Sequence, residues 1–205
     1  DVGADPFLTP AEFLEMADMV DNDRVVHIED LAVGPTTQVG PLALFEGDVT
    51  TIGRPAPRLG EHQALLDALS GRGETDAPEE AAAGRSRPPL EGITILEAAY
   101  FIAGPLASTI LAELGARVIK LEPLAGDPFR RTTTEFAQIS HGKESLAVDL
   151  KHPAARPLLE RLIRKADVLV HSFRPGAADR LGLDNDTVHA LNPGLVYLYA
   201  TSYGS

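Results

Sequence analysis

The sequence has no cysteine among its 205 residues. Without thiols it forms neither disulfide bonds nor thiolate metal sites, and this fits a reducing cytoplasm, where we expect the protein to be. No apolar stretch is long enough to cross a bilayer, since the longest, 98–112, is interrupted by Gly104 and Pro105. The acidic start of the chain does not resemble a secretory signal peptide. We therefore expect a soluble protein without membrane contact.

Lysine is absent from the first 88 residues, and this part of the chain carries a net charge of −11. Residues 89–205 are nearly neutral, at −1, and contain every lysine. An acidic segment binds nucleic acid poorly because phosphate contacts need clustered cations, so we expect no nucleic-acid partner. A ligand that carries phosphate is expected in the second part. The asymmetry also indicates two differently built parts.

The two parts are joined by a segment, 71–88, that is small, charged and proline-flanked and has no apolar periodicity. Such a composition buries too little surface to offset the entropy of ordering it, so we interpret it as a linker. Before it, Pro10 after a capping Thr9 predicts the start of a helix. The pattern also predicts two strands, over 24–29 and 39–45, and a short helix over 63–69.

After the linker, apolar strands alternate with helices. This alternation predicts crossover connections and therefore an α/β fold with a mainly parallel sheet and helices on both faces. The predicted strands are 93–98, 117–122, 145–150, 167–171 and 195–200. The predicted helices are 104–114, with Pro105 near its start and Gly115 as its stop, and the amphipathic 153–165.

Ligands of open α/β sheets lie beyond the carboxyl ends of the strands. The first strand runs into the turn 100–105, whose backbone N–H groups can hold a phosphate or thioester because Gly104 allows close approach. A plain strand-to-helix turn also explains these residues, and no G-x-G-x-x-G follows, which disfavours a nicotinamide dinucleotide. After the second strand, Arg130 and Arg131 can pair with a phosphate or simply face solvent.

The third and fourth strands are followed by three cations and an aromatic ring. Lys151, Arg174 and Arg180 can together neutralise a 3′-phosphate and a pyrophosphate, although single charges usually face solvent. Phe173 offers a stacking surface for an adenine ring. Their convergence at one edge of the sheet favours a shared ligand.

The sequence contains ligand-binding patterns but no pattern that is typical of a catalytic site. The six histidines show no metal-ligand spacing, and no serine lies in a nucleophile-elbow motif. Most carboxylates are interpreted as surface groups. We therefore name no nucleophile, no general base and no metal ligand in this chain.

A series of motifs follows Pro89 in order: Leu90-Glu-Gly-Ile, Ala103-Gly-Pro, Gly126-Asp-Pro, Phe173-Arg-Pro-Gly and Asn192-Pro-Gly-Leu. The series resembles the opening part of the family III CoA-transferases (the CaiB/BaiF family) over nearly all of 89–205. Residues 37–69, with Val39-Gly-Pro and Arg54-Pro-Ala-Pro-Arg-Leu-Gly-Glu, resemble the closing segment of such an enzyme. The resemblance implies a tandem fusion in which 1–70 ends one copy, 71–88 is the linker and 89–205 begins the next.

The resemblance implies a Rossmann-like large domain, assembled from N- and C-terminal segments, in a homo-oligomer or interlocked with another family copy. It implies coenzyme A, as acyl-CoA, together with a carboxylic acid as the second substrate, and no metal. Some members place an adenine-stacking arginine where this chain has Pro123. The implied coenzyme A contacts are Ile102, Ala103, Val148, Asp149, Leu150, Lys151, Ser172, Phe173, Arg174 and Arg180.

Transferases of the family use an aspartate nucleophile and an aspartyl-CoA thioester, and its racemases use a His/Asp pair. Both sets of residues are expected a few dozen positions beyond Ser205. We thus expect a fragment of an acyl-CoA:carboxylate CoA-transferase that is inactive by itself. The alternatives are an acyl-CoA racemase or isomerase of the same family and a non-catalytic assembly module, with a nucleotide-binding dehydrogenase domain as the most distant one.

Overall fold

The computed structural model describes residues 8–41, 52, 54–66 and 87–200. Within these ranges a two-stranded hairpin precedes a five-stranded sheet. Three sequence predictions lie partly outside the described residues: the linker up to residue 86, positions 42–45 of the second strand, and positions 67–69 of the second helix.

The part before the linker begins with two short helices, α1 (Pro10–Leu14) and α2 (Ala17–Asp21). Thr9 caps α1 as predicted, because its hydroxyl accepts the Glu12 N–H while the Glu12 carboxylate accepts the Thr9 N–H at 2.7 Å. This reciprocal pair satisfies N–H groups that have no partner inside the helix.

An antiparallel hairpin follows, formed by β1 (Val25–Asp30) and β2 (Gly34–Val39). The first strand agrees with the prediction, but the second ends at Val39, where the prediction began it. Pro35 is tolerated near the start of this strand because the strand pairs on one side only, so that the missing N–H costs little. The Asp30 carboxylate closes the turn by accepting two backbone N–H groups at 2.8 and 3.2 Å.

The main sheet is parallel throughout, as predicted. Its strand order is β5-β4-β3-β6-β7, so the chain adds β4 and β5 on one side of β3 and then returns to add β6 and β7 on the other. The direction of growth therefore reverses between β3 and β6. The strands are β3 (Thr94–Ala98), β4 (Arg117–Glu122), β5 (Glu144–Ala147), β6 (Val168–His171) and β7 (Val196–Tyr199).

Helices cover both faces of this sheet, which confirms the predicted architecture. On one face Ala112 of α3 packs with Ile95 and Val118. On the other, Leu159 of α5 and Val188 of α7 pack in the larger core cluster. The helices are α3 (Ala103–Glu113), α4 (Thr133–Ser140), α5 (Ala155–Lys165), α6 (Ala177–Leu181) and α7 (Asn185–Leu191), with a 3₁₀ turn at Pro128–Arg131.

Two glycines fix the position of α3. Gly104 is buried in its first turn, and a Cβ atom there would lie 2.5 Å from the Cβ of Ala99. The absent side chain therefore allows helix and strand to pack closely, rather than a ligand to approach as the sequence suggested. Gly115 follows the helix with φ of +98°, in agreement with its predicted role as the stop.

The segment 54–66 lies along the outer edge of β5. The Ser145 N–H donates to His62 Nδ1, and the Ser145 carbonyl accepts the His62 N–H, both at 3.1 Å. The Gln63 side chain donates to the Ala147 carbonyl at 2.6 Å and accepts the Ala147 N–H at 3.1 Å. Residues from before the linker thus pair the backbone groups that an edge strand would otherwise leave exposed.

Candidate functional site

A cleft of about 320 Å³ opens at the carboxyl edge of the main sheet. Its lining comes from the residues that follow four different strands. Because growth of the sheet reverses between β3 and β6, this is the place where open α/β sheets bind ligands. Most of the lining is apolar, and it consists of Tyr100, Pro123, Leu124, Val148, Asp149, Leu150, Lys151, Phe173 and Leu181.

Tyr100 and Phe173 meet where the direction of the sheet reverses. Their rings pack edge to face, with centroids 6.1 Å apart. The Tyr100 N–H donates to the Ser172 hydroxyl at 3.1 Å, which ties the turn after β3 to the turn after β6. Burial raises the pKa of Tyr100, so its phenol stays protonated at neutral pH.

Phe173 rests on a packed aromatic cluster. His171 stacks beneath it with ring centroids 5.5 Å apart, and Tyr199 stacks on His171 at 4.8 Å. The Phe173 N–H donates to His171 Nδ1 at 3.3 Å, and His171 Nε2 lies 2.6 Å from the Tyr197 hydroxyl. Burial lowers the pKa of His171. These contacts fix the position of the Phe173 ring, which lines the cleft.

Four ionisable side chains form a buried ion cluster beneath the turn 100–104: Glu97, Lys120, Asp127 and Lys143. Each has an exposed fraction of 2% or less. The Lys120 ammonium lies 2.7 Å from one Glu97 oxygen and 2.9 Å from the Asp127 carboxylate. The Lys143 ammonium lies 2.6 Å from the other Glu97 oxygen. The two positive and two negative charges balance, as burial requires.

Burial and ion pairing act in opposite directions on the pKa values of this cluster. Burial raises the pKa of Glu97, but the charges of Lys143 and Lys120 outweigh it and lower the pKa overall. Burial lowers the pKa of Lys120, but Glu97 and Asp127 outweigh it and raise the pKa overall. For Lys143 burial prevails, because Lys120 repels its charge, and its pKa is lowered to about 8.

A further buried carboxylate, Glu122, holds Arg130 by two hydrogen bonds of 2.7 and 2.6 Å. Glu122 also accepts the Ser145 hydroxyl at 2.6 Å, and Arg130 donates to the Pro57 carbonyl at 3.0 Å. Burial raises the pKa of Glu122, but the hydrogen bonds from Arg130 and Ser145 lower it overall. Arg130 thus joins the segment 54–66 to the sheet, a role that neither the phosphate contact nor the solvent-facing position considered for it describes.

The cleft brings together five of the ten predicted contact residues: Val148, Asp149, Leu150, Lys151 and Phe173. The other five are not among its lining residues. The Ser172 hydroxyl accepts the N–H of Tyr100, which is a lining residue. Ile102 and Ala103 are exposed at the start of α3.

Arg174 and Arg180 are exposed on the elements that follow β6. Each is adjacent in sequence to a lining residue, Phe173 or Leu181. The Arg180 guanidinium comes within 3.4 Å of the position that a Cβ atom of Gly176 would occupy, so it lies across the turn that precedes α6.

Comparison with known proteins identifies the family. The model of CoA-transferase family III matches residues 90–205, which is more than half of the chain. The chain belongs to CoA-transferase family III. The match contains the complete five-stranded sheet and the cleft.

Individual relatives agree with this family. The chain is 34% identical over 179 residues to the alpha subunit of succinyl-CoA–L-malate CoA-transferase from Chloroflexus aurantiacus, a match that covers 80% of this chain and 38% of the relative. It is similar to the solved structure of Rv3272 from Mycobacterium tuberculosis, with a TM-score of 0.56, 41% identity, and coverage of 58% of this chain and 34% of the other.

A CaiB/BaiF family protein from Brucella suis gives a TM-score of 0.53 at 34% identity, over 55% of this chain and 33% of that one. The chain therefore spans about a third of the length of these family members.

Leu124 and Leu181 line the cleft but were not predicted, and the buried ion cluster was not predicted either. Tyr100 was predicted only as part of the turn 100–105, through its backbone and not its ring. A signal for the cluster was present, since Glu97 and Lys120 each stand inside a short apolar strand. In a parallel sheet covered on both faces such a charge is buried and must be paired. Most carboxylates were interpreted as surface groups, and the buried Glu97, Glu122 and Asp127 are exceptions to that interpretation.

Two of the four lysines in the sequence, Lys120 and Lys143, are buried and cannot contact a ligand. Among the residues that the structure describes, no group of His, Asp or Glu side chains is placed to hold a metal ion. The same residues include no helix with the length and apolar character that crossing a bilayer requires.

Proposed function

We propose that this chain supplies the coenzyme A-binding part of an acyl-CoA:carboxylate CoA-transferase. The observation that carries the proposal is the cleft, which lies where parallel sheets bind ligands, in a chain of CoA-transferase family III. Its apolar and aromatic lining suits a ligand with an adenine ring, and Lys151 suits a phosphate.

Each part of coenzyme A has a counterpart in this proposal. The adenine ring stacks on Phe173, whose ring is supported from below by His171. The phosphates are neutralised by Lys151 within the cleft and by Arg174 and Arg180 beside its lining residues. The thioester end lies toward Ile102 and Ala103, where first-turn N–H groups of α3 have no acceptor within the helix. Val148, Asp149, Leu150 and Ser172 complete the proposed contacts.

Calorimetric titration with coenzyme A tests this proposal directly. Lys151→Ala weakens binding about tenfold because a charge-assisted hydrogen bond to phosphate is lost. Phe173→Ala weakens it roughly tenfold through lost stacking. The matched control is Lys165→Ala, because Lys165 ends α5 shortly before β6 begins, at the amino ends of the strands and so opposite the cleft. This variant is expected to bind coenzyme A with unchanged affinity.

Titration with 3′-dephospho-coenzyme A separates the phosphates. If Lys151 serves the 3′-phosphate, Lys151→Ala weakens coenzyme A but not the dephosphorylated analogue. No binding heat with millimolar coenzyme A contradicts the proposal and favours a non-catalytic assembly module.

The chemistry of the whole protein belongs to the same proposal. It transfers coenzyme A from an acyl-CoA to a carboxylic acid through an aspartyl-CoA intermediate. Incubating the full-length protein with acyl-CoA and candidate acids in D₂O distinguishes this from the racemase alternative. Transfer yields a new acyl-CoA without deuterium at the α-carbon, whereas racemisation exchanges the α-proton without a new thioester.

Residues 1–70 are, in this proposal, the closing segment of one family copy and 89–205 the opening of the next, and the protein is a cytoplasmic homo-oligomer or interlocked pair. Support comes from the segment 54–66, which pairs with β5 although about 80 residues separate them. A protease site inserted within 71–86 tests the assembly, because the two halves are expected to co-elute after cleavage. Halves that separate contradict it.

A further inference from the structure

The turn 100–104 is strained and exposed. Phe101 adopts φ of +64°, which a non-glycine residue rarely does. Its side chain is 57% exposed, and that of Ile102 is 53% exposed. Backbone strain of this kind persists only where the surrounding structure holds it in place, and it is concentrated at functional sites.

The buried ion cluster holds this turn at both ends. The Lys120 ammonium donates to the Ala99 carbonyl at 2.8 Å, immediately before the turn. The Lys143 ammonium donates to the Pro105 carbonyl at 2.6 Å, immediately after it. Both ammonium groups also bind one carboxylate, that of Glu97. Both ends of the turn are therefore hydrogen-bonded to lysines that share one buried carboxylate, that of Glu97.

The cluster also reaches the cleft. Lys120 Nζ lies 5.7 Å from the centroid of the Tyr100 ring, which lines the cleft and begins the turn. A cation at this distance attracts the face of the ring. The cluster thus acts on the conformation of the turn and on an aromatic wall of the cleft.

Stability alone explains these charges poorly, since apolar side chains of the same volume often stabilise a core as well as a buried ion pair does. Apolar side chains cannot donate hydrogen bonds to two chosen carbonyl groups, whereas lysine has three donors. What the cluster adds is a defined backbone geometry.

We propose that Lys120 and Lys143, acting through the carbonyl groups of Ala99 and Pro105, are positioning residues that set the turn 100–104 for the thioester end of coenzyme A. The identity of the ligand rests on the proposed function, whereas the effect on the turn does not. Both lysines are buried and touch no ligand, so their role is indirect.

A pH titration of the unmodified 205-residue chain tests the link without any substitution. The charged groups around Lys143 are Glu97, Lys120 and Asp127, and Tyr100 lies above the cluster. The pKa of Lys143 is about 8, whereas that of Glu97 is lowered and those of Lys120 and Tyr100 are raised. Amide NMR signals of residues 101–103 are expected to shift with a midpoint near pH 8. The titration of Lys143 is followed through its own side-chain signals, and amide signals of residues 101–103 that do not follow it overturn the proposal.

Hydrogen exchange of the Lys143→Met variant tests whether the Lys143 hydrogen bond to the Pro105 carbonyl stabilises the turn. The Tyr100 amide begins the turn and donates a hydrogen bond to Ser172 Oγ, and the Leu106 amide lies just after the turn and donates to the Ile102 carbonyl. They are expected to exchange about tenfold faster in the variant, because the turn opens locally. The matched control is Val118→Ala, which opens a cavity on the same face of β4 and leaves these two amides unchanged relative to the rest of the sheet.

A double variant, Glu97→Gln with Lys143→Met, keeps the test valid if Lys143→Met does not fold. It removes one positive and one negative charge, so the remaining Lys120 and Asp127 stay balanced. Faster exchange at Tyr100 and Leu106 in the double variant supports the proposal. Exchange at the wild-type rate overturns it.

Coenzyme A titration then connects the turn to the ligand. Lys143→Met is expected to bind about tenfold more weakly than the wild type, because the site is no longer pre-organised, whereas Val118→Ala binds as the wild type does. Equal binding by both variants, with unchanged exchange, overturns the positioning role while the proposed function stands. A wild type that binds no coenzyme A refutes the proposed function, and the exchange and NMR results still decide whether the lysines hold the turn.

Discussion

The two edges of the main sheet differ in what lies beside them. At the β5 edge, the segment 54–66 bonds to the strand and Arg130 ties it to Glu122. At the β7 edge, no further strand pairs within the described residues. Val196 and Leu198 there are 61% and 46% exposed. Residues from before the linker pair the β5 edge, whereas the strand at the β7 edge exposes two apolar side chains.

This difference shows that the family match contains every strand of the sheet but not the residues that pair its β5 edge. The match begins at residue 90, yet the β5 edge needs residues 54–66 to pair its backbone groups. Those residues contribute apolar packing, because Leu65 and Leu66 lie against the larger core cluster and Ala56 is buried in a smaller one. They also contribute hydrogen bonds to β5 and to Arg130. Substitutions at the two edges should therefore differ in cost.

The largest effect is expected for Glu122→Gln. It leaves the half-buried Arg130 without its charged partner and is expected to cost about 3 kcal/mol of unfolding free energy. The matched control is Glu144→Gln, because Glu144 also holds an arginine by two hydrogen bonds of 2.9 Å each, but the side chain of that arginine, Arg117, is 45% exposed. It should cost less than about 1 kcal/mol. Urea unfolding at pH 7 measures both, and equal losses would remove the distinction.

The same pair of variants has a pH signature. The pKa of Glu122 in the folded protein lies below its ordinary value of 4.5, so the folded state binds fewer protons than the unfolded state in this range. The stabilisation is complete above pH 4.5 and is lost as the pH falls through the folded pKa. The gap between wild type and Glu122→Gln should therefore narrow in acid, as unfolding at pH 7 and at successively lower pH would show.

A smaller loss is expected for Gln63→Ala, which removes both side-chain hydrogen bonds to Ala147. These bonds are exposed, so the cost should be about 1 kcal/mol, with faster hydrogen exchange at the Ala147 amide. Gln138→Ala, on the exposed side of α4, is the control and should change neither quantity. An Ala147 amide that stays protected in Gln63→Ala would show that the segment does not cover the edge.

The smallest effect is expected at β7. Leu198→Lys should change the unfolding free energy by no more than about 0.5 kcal/mol, because the side chain is largely in solvent. It should also reduce self-association measured by light scattering, since it places a charge on an exposed apolar face. A loss of several kcal/mol would show that this face is covered in solution.

The sequence predicted the parallel sheet because its strands are short, apolar and separated by helical patterns. β4 was predicted with its observed bounds, and α3 was displaced by one residue at each end. β5 ends three residues earlier than predicted, because 148–151 turn away to line the cleft. Four helices of the described residues, α2, α4, α6 and α7, were not predicted. Among them α6, which lies between Gly176 and Gly182, is too short to show a helical period.

The cleft was predicted at the correct edge because strand polarity alone places it there. What the sequence could not provide was which charges are available. Arg130 and Lys143 look like their exposed counterparts Arg131 and Lys151, and they differ only in partners that are distant along the chain, Glu122 and Glu97. Such pairings depend on tertiary contacts that no local pattern encodes.

The hydrogen bonds below Phe173 fix the position of one proton. The Tyr197 hydroxyl donates to the Leu183 carbonyl at 2.8 Å, and burial raises the pKa of Tyr197 to about 12, so this hydroxyl can only accept from His171. His171 therefore carries its hydrogen on Nε2 and leaves Nδ1 bare for the Phe173 N–H. A second proton, on Nδ1, would remove the acceptor of the Phe173 N–H. The position of the Phe173 ring in the cleft is therefore sensitive to acid through this one nitrogen atom.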